Sequence, residues 1–142
     1  MKPAIKFVIS DARSLPFEDN FFDLVTISFA VRNINSTGGG LLPHFSEFCR
    51  VLKPGGRFIC LETSQPKNKV FRKMMHLYVS LTVAQLGGLI SGSKGGYKYL
   101  ASSIPRFYDA DQVAEILYNA GFSDVSYKLP FFGITAIHKA VK

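Results

Sequence analysis

One stretch limits the fold more than any other. Phe45, Phe48, Cys49 and Leu52 recur at i, i+3, i+4 and i+7, which is one stripe of a helix. Lys53-Pro54-Gly55-Gly56 ends that helix, because proline cannot continue it and glycine tolerates positive φ. Arg57 to Glu62 then reads as a strand, with Phe58-Ile59-Cys60-Leu61 at its centre. Helix, tight turn and apolar strand in that order are the rhythm of an α/β protein.

The flanking sequence continues the rhythm. Ile5, Phe7 and Ile9 alternate with Lys6 and Ser10, a strand pattern. Leu15 to Asn20 is a loop, and Leu24-Val25-Thr26-Ile27-Ser28-Phe29 reads as a strand apolar on both faces, as in a covered parallel sheet. Asn33 to Gly40 is turn-rich. A helical segment begins near Lys67 and stays apolar to Ile90, where glycines 87, 88, 92, 95 and 96 loosen it. Asp109 with Gln112 three residues on nearly matches a capping box, Val113, Ile116, Leu117 and Ala120 form the buried stripe, and Gly121 sits where a helix ends. Val125 to Leu129 and Ile134 to His138 are strands joined by a connection short enough for an antiparallel hairpin. The expectation is a partial doubly wound, Rossmann-like α/β sheet of about five strands with that C-terminal hairpin, a single domain over 1–142.

Charge narrows the functional classes. The chain has 142 residues, enough for one domain with a real core, and a net charge of +7. Residues 63–108 hold seven basic groups (Lys67, Lys69, Arg72, Lys73, Lys94, Lys98 and Arg106) and no acid, while the rest balances at ten and ten. A local positive field suits an anionic partner. Nucleic acid is a poor candidate, because the segment lacks a recognition motif and interleaved aromatics. Met74 to Ile90 is short of the about 20 apolar residues a membrane span needs, and the N-terminus shows no apolar signal region. Cys49 and Cys60, alone and in apolar settings, fit a reducing compartment and core packing better than a disulfide or zinc site; no metal is expected.

Specific motifs then carry a family resemblance. Asp11-Ala12-x-x-Leu15-Pro16-Phe17, Phe22-Asp23-Leu24-Val25 and Arg50-Val51-Leu52-Lys53-Pro54-Gly55-Gly56 resemble class I S-adenosylmethionine-dependent methyltransferases. Ile27-Ser28-Phe29-Ala30-Val31-Arg32-Asn33-Ile34, Tyr97-Lys98-Tyr99-Leu100 with Ser103-Ile104, and Gly133-Ile134-Thr135-Ala136-Ile137-His138 are similar to signatures of the ubiquinone and menaquinone C-methyltransferases. The resemblance implies C-methylation of a polyprenylated benzoquinol or naphthoquinol, with S-adenosylmethionine as cofactor. The family's Gly-rich first strand and ribose-binding acid have no counterpart, so the chain looks like the family's C-terminal part. A non-catalytic fragment retaining the substrate side is the alternative. Pro105 and Tyr108 also depart from the family pattern, as does Gly38-Gly39-Gly40.

The resemblance assigns candidate roles. Arg32, at a strand's carboxyl end, would stabilise a phenolate, and Asn33 would orient the ring oxygen or a water. Asp11 and Ala12 match the adenine-contacting pair, and Ser28 and Phe29 match the methionine end of the cofactor site. Tyr97, Tyr99 and Arg106 belong to a substrate-side lid. The plain alternatives are a surface arginine, a turn-capping aspartate and ordinary strand residues. His44 reads as a surface residue at a helix start, His76 as a core or interface residue, and His138 as structural. Gly92-Ser93-Lys94-Gly95-Gly96 lacks the Gly-Lys-Ser/Thr of a phosphate loop.

The basic segment, 64–108, reads as a lid-like insert. Lys67-x-Lys69-x-x-Arg72-Lys73 before an apolar helix is the pattern of an interfacial element, so 67–106 is a candidate for peripheral contact with anionic lipid. A solvated basic face over a core helix is the plainer reading. The location implied is cytoplasmic, or peripheral on an inner membrane (its matrix side in a mitochondrion). Without a neighbouring strand, residues 4–10 would leave a raw apolar edge, closed by homodimerisation or by re-pairing within the chain.

Overall fold

The computed structural model describes residues 5–35, 39–83 and 94–142. Four strands form one mixed sheet: β1 (Phe22–Ser28), β2 (Leu52–Thr63), β3 (Ser123–Lys128) and β4 (Thr135–Val141), in the spatial order β1-β2-β4-β3. β1 runs parallel to β2, with Val25 opposite Phe58 and Ile27 opposite Cys60. β4 runs antiparallel to both β2 and β3. The helices are α1 (Val31–Asn35), α2 (Leu42–Val51), α3 (Lys69–Tyr78), α4 (Lys94–Ser103) and α5 (Ala110–Asn119).

Local sequence explains the best-defined elements. Pro43 stands in the first turn of α2, where its missing N–H costs nothing. Leu52 pairs with Phe22 and Arg57 with Leu24, so Lys53 to Gly56 bulge out opposite Asp23, where Lys53 Nζ lies 2.8 Å from the Asp23 carboxylate. Gly55 takes φ +77° in that bulge, and its N–H donates to the Lys142 carbonyl at 2.9 Å. In α5 the Asp109 carboxylate accepts from the Gln112 N–H, and the Gln112 side chain accepts from the Asp109 N–H, a complete capping box. At the other end Gly121 adopts φ +98°. The Phe122 N–H reaches the Leu117 carbonyl and the Gly121 N–H that of Tyr118, a Schellman closure.

The core lies between the sheet and α2 with α5. Phe58 on β2 is fully buried, and its ring centroid stands 5.5 Å from Phe45, 5.6 Å from Phe48 and 5.4 Å from Phe122. Leu117, Val113 and Ala140 complete it, and Cys49 and Cys60 are buried free thiols, as expected of core packing. Burial pushes the Cys60 thiol up to about 12, so it stays protonated and inert.

Several expectations are corrected. Ile5 to Ser10 forms no strand and pairs with none among the described residues, so the described sheet has four strands, not five. Ile5, Phe7 and Ile9 stay 82%, 92% and 104% exposed. Alternation favours an extended chain, but a ladder needs a neighbour, and among the described residues β1 bonds only to β2. Re-pairing of this segment within the chain is therefore not seen. β1 is likewise an edge with Leu24 half exposed, not a strand covered on both faces. Gly95 and Gly96 lie inside α4 instead of interrupting it, while glycines 87, 88 and 92 fall outside the described residues. His44 is buried, not on the surface, with Nδ1 3.0 Å from the Gly40 carbonyl.

Candidate functional site

A cleft of about 250 Å³ opens beyond the carboxyl ends of β1 and β2, the end where open α/β sheets bind ligands. Arg32, Asn35, Tyr99, Ser102, Arg106 and Phe107 line it, bringing together α1, α4 and the 3₁₀ turn Ile104–Arg106. Three sequence candidates thus converge: Arg32, Tyr99 and Arg106. Asn33 joins them, since the Tyr99 hydroxyl donates to its Oδ1 at 3.4 Å.

Arg32 is held by groups thirty residues away in sequence. Its Nη1 donates to Thr63 Oγ1 at 2.9 Å and lies 3.8 Å from a Glu62 carboxylate oxygen. The Glu62 carboxylate also accepts from the Arg32 N–H at 3.2 Å, the Thr63 N–H at 2.8 Å and the Thr63 hydroxyl at 3.0 Å. Both charged side chains are nearly sealed from solvent, at 8% and 4% exposure. Arg32 Nε, however, is buried with no partner among the described residues. A buried donor without a partner carries a desolvation cost that an acceptor would remove.

Gln65 pins both ends of the basic insert. Its Nε2 donates to the carbonyls of Ile104 at 2.7 Å and Phe107 at 3.3 Å, and its Oε1 faces His76 Nε2 at 2.7 Å. His76 is thereby satisfied in the structure, as expected, and burial holds its pKa below the usual histidine value. His138 is buried with Nε2 donating to the Ala110 carbonyl at 2.9 Å, far from the role of a base. Burial lowers its pKa, opposed by that carbonyl and by Asp111.

The other candidates lie outside the cleft. Asp11 folds its own turn: both carboxylate oxygens accept from Arg13, which contributes its backbone N–H, Nε and Nη2. Those bonds hold the Asp11 carboxyl down at about 2. Ala12 packs against the core. Ser28 ends β1 exposed, and Phe29 follows half exposed at φ +51°, a left-handed conformation that costs a non-glycine residue on the order of 1 kcal/mol. The Tyr97 side chain lies outside the described residues. Sequence reasoning passed over Glu62 and Thr63; an acid ending an otherwise apolar strand was the available signal.

The fold defines the class. A solved S-adenosylmethionine-dependent methyltransferase from Aquifex aeolicus superposes with a TM-score of 0.59, covering 96% of this chain and 54% of that one, at 17% identity. The likeness is one of fold: a Rossmann-like methyltransferase sheet, present in part. Sequence then supplies the family. The model of the ubiE/COQ5 methyltransferase family matches residues 1–142, and the chain belongs to that family. It is 40% identical over 141 residues to the mitochondrial 2-methoxy-6-polyprenyl-1,4-benzoquinol methylase of Pongo abelii, covering 99% of this chain and 42% of that one. It is 42% identical over 138 residues to the ubiquinone/menaquinone biosynthesis C-methyltransferase UbiE of Rickettsia felis, covering 97% and 54%. The chain thus spans about half the length of the curated relatives it matches.

Proposed function

We propose that this chain is the substrate side of an S-adenosylmethionine-dependent C-methyltransferase acting on a polyprenylated benzoquinol or naphthoquinol in quinone biosynthesis. The observation that carries the reading is Arg32: a cation fixed by Glu62 and Thr63, with Nε unpartnered, in a cleft at the sheet's carboxyl end. Alkylation of a ring carbon needs the ring electron-rich, as a phenolate. A fixed guanidinium with its desolvation already compensated by Glu62 stabilises that oxyanion, and it needs no reorganisation to do so. Asn33, tied to Tyr99, orients the ring oxygen, and Arg106 adds a second cation to the cleft wall. Gln65, at the start of the 64–108 insert, is tied to Ile104 and Phe107 beside the cleft, which supports a lid role for that insert.

S-adenosylmethionine, when bound, supplies an electrophilic methyl group. The exposed Ser28 and Phe29 fit the methionine end as one wall of its site. Asp11 fits the adenine amine only with Arg13 turned aside, because its four bonds to Arg13 occupy the carboxylate. That occupancy supports a second reading: a chain that keeps the substrate side without catalysis. The site implied is the cytoplasm of a bacterium or the matrix side of a mitochondrion, with peripheral lipid contact through 67–106. Calorimetric titration with S-adenosylhomocysteine separates the readings. Micromolar binding supports the enzyme, and no heat at millimolar ligand overturns it in favour of the second reading.

A further inference from the structure

Among the described residues, one apolar face of α3 is left outside the core. Val70, Met74, Leu77 and Leu81 fall at i, i+4, i+7 and i+11, one stripe along α3 and the π-helical turn Val79–Val83 that continues it. They are 71%, 62%, 59% and 53% exposed. The buried side chains of the same element, Met75 and Val79, lie on a different line. The stripe is therefore extra to what holds the helix down.

A second element supplies the same chemistry at the same place. The β3–β4 connection carries Phe131 and Phe132, 74% and 86% exposed, both at left-handed φ (52° and 57°). The Phe132 ring stands 5.8 Å from Phe71 on α3, and Ile134 closes an apolar groove of about 310 Å³ with Phe71, Met74, Met75 and Tyr78. Two adjacent aromatics held outward in an unfavourable backbone region, beside an exposed aliphatic stripe, make one continuous apolar patch.

Charge selects the occupant. Lys69 and Lys73, four residues apart, flank the stripe, are exposed and form no ion pair among the described residues. No acid occurs between residues 63 and 108, and Asp111, the acid near the start of this segment, is engaged by Lys67 and Tyr127. An apolar strip with lysines along one border and no acid on its element is the complement of an anionic bilayer surface.

We propose that α3 and the Phe131–Phe132 tip together form a two-part docking surface for anionic lipid, the tip and stripe entering the acyl boundary while Lys69 and Lys73 meet headgroup phosphates. The proposal rests on the lipid-tailed substrate reading and goes past it: the contact includes a hairpin outside the basic insert. Co-sedimentation of the full chain with vesicles of phosphatidylcholine plus phosphatidylglycerol, against phosphatidylcholine alone, tests it. Strong preference for the anionic vesicles is expected. Lys69→Gln with Lys73→Gln weakens that binding roughly thirtyfold, about fivefold per charge. Met74→Ser with Leu77→Ser, and separately Phe131→Asn with Phe132→Asn, weaken binding to both vesicles; asparagine tolerates the left-handed backbone. Circular dichroism confirms that each variant is folded. Equal binding to both vesicles, or unchanged binding in the Phe131/Phe132 pair, overturns the proposal. So does loss of a dimer in the Met74/Leu77 pair, which would assign the patch to a second copy. S-adenosylhomocysteine titration without lipid, run on the same variants, keeps failure here distinct from failure of the enzyme reading.

Discussion

Glu62→Ala removes the carboxylate that organises Arg32. Three hydrogen bonds vanish, from the Arg32 N–H, the Thr63 N–H and the Thr63 hydroxyl, together with the 3.8 Å ion pair. Both side chains are buried (8% and 4% exposed), so solvent screening does not discount the loss. Breaking one side of a buried pair costs about 3–5 kcal/mol, because the remaining charge is stranded. The direct ion pair is long and partly relayed by Thr63, which places the expected loss near the low end, about 3 kcal/mol. For a chain of this size that is a fall in Tm on the order of 10 °C. Urea denaturation at constant m-value measures it. The double replacement Arg32→Met with Glu62→Leu removes both charges and should recover to within about 1 kcal/mol of the parent. A Glu62→Ala protein within about 0.5 kcal/mol of the parent would refute the reasoning. So would a double variant no more stable than the single one.

Other outcomes follow from local geometry. Asp109→Ala strips the capping box of α5 and should cost about 1 kcal/mol, with Asp109→Ser restoring most of it; equal loss in both would mean the cap is not the cause. A Cβ on Gly56 would sit 2.7 Å from the Lys53 carbonyl oxygen, so Gly56→Ala should lose about 2 kcal/mol. Gly55 has open space but φ +77°, so Gly55→Ala should lose only about 1 kcal/mol; chemical denaturation giving the reverse order would contradict the geometry. His138, its pKa held down by burial, resists a proton that the unfolded chain accepts near 6.5. The unfolded state binds more protons there, so stability is full above that value and falls as pH drops below it. Urea midpoints at about pH 7.5 and 5.5, where carboxylates stay charged, should show the fall, and His138→Gln should shrink it.

Much of the architecture is legible in sequence because it is local. The α2 stripe, the Pro-Gly-Gly turn, the capping box, the Gly121 closure and the C-terminal hairpin each depend on residues within a few positions of one another. The cleft is less so. Arg32, Tyr99 and Arg106 entered through family resemblance, and their convergence needs the insert folded back by Gln65. Glu62 escaped notice because its charged partner, Arg32, lies thirty residues earlier, and nothing in strand periodicity says which buried acid meets which buried base.

By itself, then, the sequence determined the alternation of helix and strand, the family, and the concentration of positive charge in one acid-free segment. Those follow from short-range periodicity, turn chemistry and composition. Tertiary structure decided what neighbours what. Among the described residues it left Ile5 to Ser10 without a ladder despite a strand pattern, because a ladder needs a partner strand and β1 bonds only to β2 there. It buried His44 and sealed Arg32 against Glu62. And it set the Phe131–Phe132 tip beside the α3 stripe, since only the antiparallel return of β4 along β2 carries that hairpin back to the insert.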